Sequence, residues 1–306
     1  MSEKEVQFPY NLEDLFLDWK HKVELKQLGL PHVKKHFKKK FIAIQIDGLS
    51  YDMLEKLLHM PQCRFIRSLI VDRHFYVSRY NCGLPADTPS SLAGILYGNR
   101  KEAIGFRSID KKHKRFQSYA SPDFCWHIEK SLKKKKGVLK EGSAYVLSFS
   151  GGAERTFLTM STLIHKAPLK RFKESNILIL MLLNPFVLGK VILSSVAELL
   201  LELYDSFLSF LNRIFIAKEK KVAFHLVFPF KRFIFQGIVM EMQRIGAVLD
   251  MKRGVPRIYT NLHAYDDVLH RRGLSSKAAL RTLKQIDRLI MRIYNMKPAK
   301  YDFYLF

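Results

Sequence analysis

The segment FIAIQIDGLSYD, residues 41–52, predicts a buried β-strand that stops at a tight turn. The residues before Asp47 form a short apolar, β-branched run, and Gly48 ends it. Asp47 is therefore expected at the carboxyl end of a strand. Open α/β sheets bind their ligands at that edge, so this carboxylate is a candidate for chemistry. The alternative is that Asp47 caps a helix that begins near Ser50.

A second segment, GLPADTPSSLAGILYG at residues 83–98, brings a hydroxyl to the start of a helix. Two prolines bracket Thr88 in a stiff turn, and residues 90–96 predict a helix whose amino terminus favours anions. A phosphate group could be held there beside the Thr88 hydroxyl. The alternative is that Thr88 or Ser90 is simply the N-cap residue of this helix.

A third segment, GVPRIYTNLHAYDDVLHRRG at residues 254–273, contains a strand-like run followed by Asp266 and His270. Their i, i+4 spacing places both side chains on one face if the segment is helical, which suits two ligands of one divalent ion. The alternative is an exposed Asp–His pair without such a role. The same spacing favours Asp266 over Asp267, and His263, just before the pair, is not among the candidates.

Taken in this order, the three segments resemble the alkaline phosphatase superfamily, most closely its type I phosphodiesterase and nucleotide pyrophosphatase branch, over residues 38–306. The resemblance rests on an Asp-Gly after the first strand, a Pro-x-x-Thr turn that ends in Tyr97-Gly98, and an Asp-x-x-x-His followed by Gly273. The stretch GSAYVLSFSGGAERTFLTMSTL, residues 142–163, is similar to bacterial proteins of the alkaline phosphatase family.

This resemblance implies an α/β fold, an alkaline phosphatase-like sheet sandwiched by helices, that hydrolyses phosphoric esters or anhydrides with two divalent metal ions, usually zinc. Thr88 would attack phosphorus, and water would then hydrolyse the phosphothreonine. Asp47 and Thr88 would hold one ion, and Asp266 and His270 the other. A threonine hydroxyl is a poor nucleophile at neutral pH, and coordination to a dication favours its alkoxide.

The sequence departs from the family at its carboxyl end, where YDFYLF at residues 301–306 corresponds to the family's last strand. The family continues into an Asp-His-Gly element and adds a distal histidine, so three expected ligands are lacking. The expectation is an incomplete domain, a fragment, a frameshifted gene or a degenerate copy, with weak metal binding. The rival hypothesis is a catalytically inactive protein that binds a membrane surface or polyanion.

The chain is strongly basic, with a formal net charge of +24 from 52 basic and 28 acidic residues. Such a charge attracts nucleic acid or an anionic lipid leaflet. Basic runs at residues 35–40 and 130–137 have no nucleic-acid-binding motif or aromatic stacking pattern beside them. Nucleic acid is therefore an unlikely partner, and the expected partners are a phosphorylated small-molecule or lipid substrate and an anionic membrane surface.

Residues 177–215 are much more apolar than the rest and are flanked by lysine and arginine. Pro185, Gly189, Lys190 and Glu198 interrupt the apolar run, so it falls short of a membrane span of about 20 residues. Two interpretations stay open: a helical insertion buried over the sheet, and a helical pair lying in a membrane interface.

The expected organisation is a basic amphipathic leader over residues 1–37 and an incomplete α/β domain over residues 38–306, with the helical insertion at about 166–235. The amino terminus has no secretory signal pattern, so we expect the chain in the cytoplasm or peripherally on the inner face of the membrane. The three cysteines lack metal-type spacing and suit reduced thiols.

Overall fold

The computed structural model describes residues 32–164 except 104, 112, 134 and 135, residues 185–215, and residues 227–306 except 275, together with residues 19 and 23. These residues form a mixed α/β fold with a five-stranded parallel sheet flanked by helices and a separate two-stranded sheet. The predicted leader over residues 1–37 lies largely outside the described residues, as do residues 177–184 of the apolar segment.

The strands in chain order are β1 (Lys40–Ile46), β2 (Arg107–Asp110), β3 (Arg115–Ser118), β4 (Ser143–Tyr145), β5 (Arg155–Phe157), β6 (Arg257–Leu262) and β7 (Tyr301–Leu305). The main sheet has the order β5-β4-β6-β1-β7, and every neighbouring pair is parallel. Strands β2 and β3 pair separately as an antiparallel hairpin. The predicted strands β1, β6 and β7 are therefore confirmed.

The helices are α1 (Tyr51–Leu58), α2 (Arg64–Val71), α3 (Thr88–Tyr97), α4 (Pro122–Leu132), α5 (Pro185–Phe215), α6 (Val227–Arg232), α7 (Met240–Arg253), α8 (Ala264–Arg272) and α9 (Lys277–Asn295). A π-helical segment, Phe233–Val239, joins α6 to α7. The predicted helices after Tyr265 and near the carboxyl end correspond to α8 and α9. Within the described part of the chain, no helix has both the length and the apolarity to cross a membrane.

Side chains alternate between the two faces of β1, and both faces are buried. Ile42, Ile44 and Ile46 belong to a core cluster that includes residues of α1, α2, α7 and α9. Ala43 belongs to a second cluster, which includes residues of α3 and α4. A strand covered on both faces explains why the sequence of β1 is almost continuously apolar.

The N-cap residues of two helices beside the sheet are not the residues that the sequence offered as alternatives. The N-cap of α1 is Ser50, whose side chain accepts a backbone N–H bond, so Asp47 does not cap that helix. Helix α3 begins at Thr88, earlier than predicted, and Asp87 accepts the Ser90 N–H at 2.8 Å. Asp87 is thus the N-cap, and neither Thr88 nor Ser90 has that role.

Candidate functional site

The parallel pairing of β1 and β6 brings the residues that follow each strand to the same edge of the sheet. Ile46 is in register with Leu262, so Asp47 and His263 come next to each other. The Asp47 backbone N–H donates to the Leu262 carbonyl at 3.2 Å, which extends the ladder to the edge itself. This carboxyl edge is where an open α/β sheet places its ligands.

Asp47 is only 4% exposed, and both of its carboxylate oxygens accept hydrogen bonds. The Thr88 hydroxyl donates to Oδ1 at 2.9 Å. The Asn261 amide donates to Oδ2 at 3.1 Å, and His263 Nδ1 lies 2.5 Å from the same oxygen. Two segments 41 residues apart in sequence thus place the predicted carboxylate and hydroxyl in direct contact.

His263 faces a hydrogen-bond acceptor with each ring nitrogen, because Nδ1 meets Asp47 and Nε2 lies 3.1 Å from the Val146 carbonyl oxygen. Both nitrogens can donate only in the charged imidazolium. Burial lowers the pKa of His263, but the hydrogen bond and negative charge of Asp47 outweigh burial, and the pKa is raised. Nε2 also lies 3.3 Å from the Asn261 amide nitrogen, a donor from which a neutral ring accepts. The raised pKa favours the cationic form.

The opposite balance acts on the pKa of Asp47. Burial raises it, but the hydrogen bond and charge of His263 and the hydrogen bonds from Thr88 and Asn261 outweigh burial, so the pKa is lowered. The two pKa shifts thus favour the charged form of each partner in the Asp47–His263 contact.

Asp266 and His270 lie one turn apart on α8, with Oδ1 and Nε2 separated by 3.2 Å. The Asp266 side chain is 27% exposed and that of His270 is 73% exposed. A Cβ built on Gly48 would lie 2.8 Å from Asp266 Oδ1, so this carboxylate packs against the residue that follows Asp47. Burial, followed by the negative charge of Asp47, raises the pKa of Asp266. The four predicted site residues therefore share one edge of the sheet.

Asp266 and His270 have the donor types that zinc takes, whereas the other pair joins the Asp47 carboxylate to the hydroxyl of Thr88. Zinc takes carboxylate oxygen and imidazole nitrogen, and two ligands at about 2.0–2.1 Å from a tetrahedral ion stand roughly 3.3 Å apart. The Asp266–His270 separation of 3.2 Å matches this spacing, and the Asp47–Thr88 separation is 2.9 Å. Among the described residues, however, no three His, Cys, Asp or Glu side chains gather around one point, so each pair would supply two ligands only.

Sequence reasoning missed His263 and Asn261, the two further partners of the Asp47 carboxylate. A signal for His263 was present, since it follows β6 as Asp47 follows β1. The preference for Asp266 agrees with the geometry, because the neighbouring Asp267 forms an ion pair with Lys231 instead.

The fold and this edge define a mixed α/β protein in which one buried carboxylate contacts both a hydroxyl and an imidazole. No protein-family model, curated protein or solved structure matches the chain. The resemblance to the alkaline phosphatase superfamily therefore rests on the sequence segments and remains a proposal.

Proposed function

We propose that this chain is a member of the alkaline phosphatase superfamily, of the phosphodiesterase and nucleotide pyrophosphatase type, and hydrolyses phosphoric esters or anhydrides. The observation that carries the proposal is the 2.9 Å hydrogen bond from the Thr88 hydroxyl to Asp47 at the carboxyl edge of the sheet. The substrate is a phosphorylated small molecule or lipid.

The contact orients Thr88 for attack on phosphorus. Its hydroxyl proton points at Asp47 Oδ1, which leaves an oxygen lone pair available for the substrate. Thr88 is also the first residue of α3, where the partial positive charge of the helix amino terminus favours a phosphate. His263 neutralises Asp47 and fixes the orientation of its carboxylate.

Asp47 alone is a weak base for this hydroxyl, because its pKa is lowered. In the proposed site Asp47 and Thr88 would hold one divalent ion, and Asp266 and His270 would hold a second, with zinc as the expected metal. Bound dications lower the pKa of a coordinated hydroxyl or water. Attack by Thr88 Oγ1 forms a bond to phosphorus as the bond to the leaving-group oxygen breaks, and the hydroxyl proton leaves through its acceptor, Asp47 Oδ1, to solvent. Water then cleaves the phosphothreonine and restores the hydroxyl.

Hydrolysis of a chromogenic phosphodiester, measured with added zinc or manganese, tests this function. We expect turnover that is lost in Thr88→Ala and largely kept in Thr88→Ser, which retains the hydroxyl. Ser91→Ala, in the same helix, is the matched control and should behave as the native chain. Equal turnover of Thr88→Ala and the native chain, or no turnover with either metal, would contradict the proposal.

Metal binding gives a second readout that does not depend on turnover. Calorimetric titration with zinc should show binding that weakens in Asp47→Ala and in His270→Gln. Unchanged binding in both variants would place the metal elsewhere.

The proposal locates the chain in the cytoplasm, with a peripheral position on the inner face of the membrane. The rival function, an inactive protein that binds a membrane surface, is favoured by one specific observation. Helix α5 exposes apolar side chains along much of its length, including Leu193 and Leu200.

A further inference from the structure

Helix α5 buries polar side chains and exposes apolar ones, the reverse of most surface helices. Of its residues, Ser195 and Glu202 are fully buried and Ser206 is 6% exposed. A surface helix normally hides apolar side chains and shows polar ones to water. The buried face of α5 is thus largely polar, and the apolar residues lie on the other side.

The buried polar contacts fix the rotation of α5 about its own axis. Glu202 Oε2 lies 2.8 Å from the Arg232 guanidinium, and Glu202 Oε1 lies 2.5 Å from that of Arg272. Arg272 also donates to the Ser206 hydroxyl at 3.1 Å. Turning the apolar face inward would expose these contacts or leave a charge buried without its partner, which is costly.

A close backbone approach holds the same helix in place. A Cβ built on Gly237, in the π-helical segment, would lie 1.7 Å from Ser195 Oγ. Only glycine fits there, so the segment after α6 packs directly on the polar side of α5. Arg281 of α9 adds an ion pair with Asp205 at 2.7 Å.

The outward face of α5 carries eight exposed large apolar residues: Ile192, Leu193, Val196, Leu200, Leu203, Tyr204, Phe207 and Leu208. Their positions span about 24 Å along the helix at 1.5 Å per residue. None of the residues described as exposed between 191 and 208 is charged. Apolar patches of this extent mark interaction surfaces.

We propose that this face of α5 lies on an anionic lipid bilayer, with the helix parallel to the membrane surface. The geometry is that of an interfacial amphipathic helix, whose apolar side enters the boundary between headgroups and acyl chains. A parallel orientation also agrees with the finding that no described helix could cross a membrane. This proposal does not depend on the proposed hydrolase activity.

Charge identifies the occupant as anionic lipid. Each copy of the chain carries +24, so two copies repel each other and a second copy is a poor cover for this face. An anionic leaflet attracts the same charge. Basic clusters at residues 169–173 and 218–221 flank the helix in sequence and add to that attraction.

The test is sedimentation of the full chain with vesicles of phosphatidylcholine alone or mixed with phosphatidylglycerol. The variant Leu193→Gln/Phe207→Gln removes two exposed apolar side chains without changing net charge. The matched control is Ile109→Gln/Phe116→Gln, the same kind of change at two exposed positions of the β2–β3 hairpin. All four side chains are more than half exposed, so circular dichroism should be unchanged in both variants.

We expect the native chain to sediment with the anionic vesicles, and more weakly in high salt. The α5 variant should show at least about a tenfold lower partition coefficient, since each buried Leu or Phe contributes strongly to transfer from water. The hairpin control should stay within about twofold of the native chain.

Three results would overturn the proposal. They are no sedimentation of the native chain, equal sedimentation of the α5 variant, and a native dimer in light scattering that the α5 variant converts to monomer. The last result would identify a second copy as the occupant of the face.

Discussion

The ion pair of Asp47 and His263 can be measured through a double-mutant cycle of Asp47→Asn, His263→Gln and the double variant. An asparagine can still accept from Asn261 through its oxygen and meet the Thr88 hydroxyl with its amide. The loss is therefore chiefly that of the charge facing His263, 2.5 Å away.

The magnitude follows from the burial of the two partners. Removing one partner of a buried pair costs about 3–5 kcal/mol, and a hydrogen bond to a charged group contributes about 1.5–3 kcal/mol. The His263 side chain is 31% exposed, so water compensates part of the loss. We expect Asp47→Asn to lower the free energy of unfolding by about 2 kcal/mol, with a coupling energy of about 1–2 kcal/mol.

Urea unfolding followed by circular dichroism measures these energies, without added metal. His59→Gln, at the exposed carboxyl end of α1, is the control for the histidine change and should stay within about 0.5 kcal/mol of the native chain. Proton NMR should show a lower pKa of His263 in Asp47→Asn. A coupling energy below about 0.5 kcal/mol, or an unchanged pKa of His263, would refute the ion pair.

Two further predictions concern pH and packing. Because the pKa of Asp47 is lowered from 3.8 and that of His263 is raised from 6.5, the pair stabilises fully only between these values. The difference in unfolding free energy between the native chain and the double variant should therefore be largest near pH 5–6. It should fall as the pH drops through the lowered pKa of Asp47, and fall again as the pH rises through the raised pKa of His263. A difference that does not change with pH would contradict this prediction. Gly237→Ala should destabilise by about 1–3 kcal/mol in urea unfolding, because its Cβ overlaps Ser195. Gly189→Ala, with open space at its Cβ, should not destabilise, and Ser195→Gly should rescue Gly237→Ala; failure of the rescue would contradict the contact.

The sequence was sufficient to predict β1 and the place of Asp47, since an apolar run ended by Gly48 is a local signal. The contact with Thr88 could be anticipated only through the family resemblance. His263 was missed because its contact with Asp47 depends on the pairing of β6 with β1, and local periodicity does not predict the order of strands in a sheet. The N-cap roles of Ser50 and Asp87 depended on helix boundaries, which sequence patterns locate only to within a few residues.

The sequence also could not show which face of α5 is buried. In the sequence, Glu202 is a charged residue within an apolar stretch. Whether its side chain faces the protein or the solvent depends on the positions of Arg232 and Arg272. Those arginines come from α6 and α8, far along the chain. Only their positions show that the charged side of the helix faces inward.

Helix α8 connects the two surfaces described above. It carries Asp266 near its start, and its last residue, Arg272, bonds to Glu202 of α5. Six residues separate these positions, about 9 Å along the helix. Arg272 therefore links α5 to the helix that carries Asp266.

Gly48 has a φ of +76° and no room for a side chain, since a Cβ would lie 2.6 Å from Leu269 and 2.8 Å from Asp266. Any other residue would be strained at this φ, and its Cβ would displace the side chains of Leu269 and Asp266. The close approach of α8 to the end of β1 thus depends on a position at which the chain has no Cβ atom.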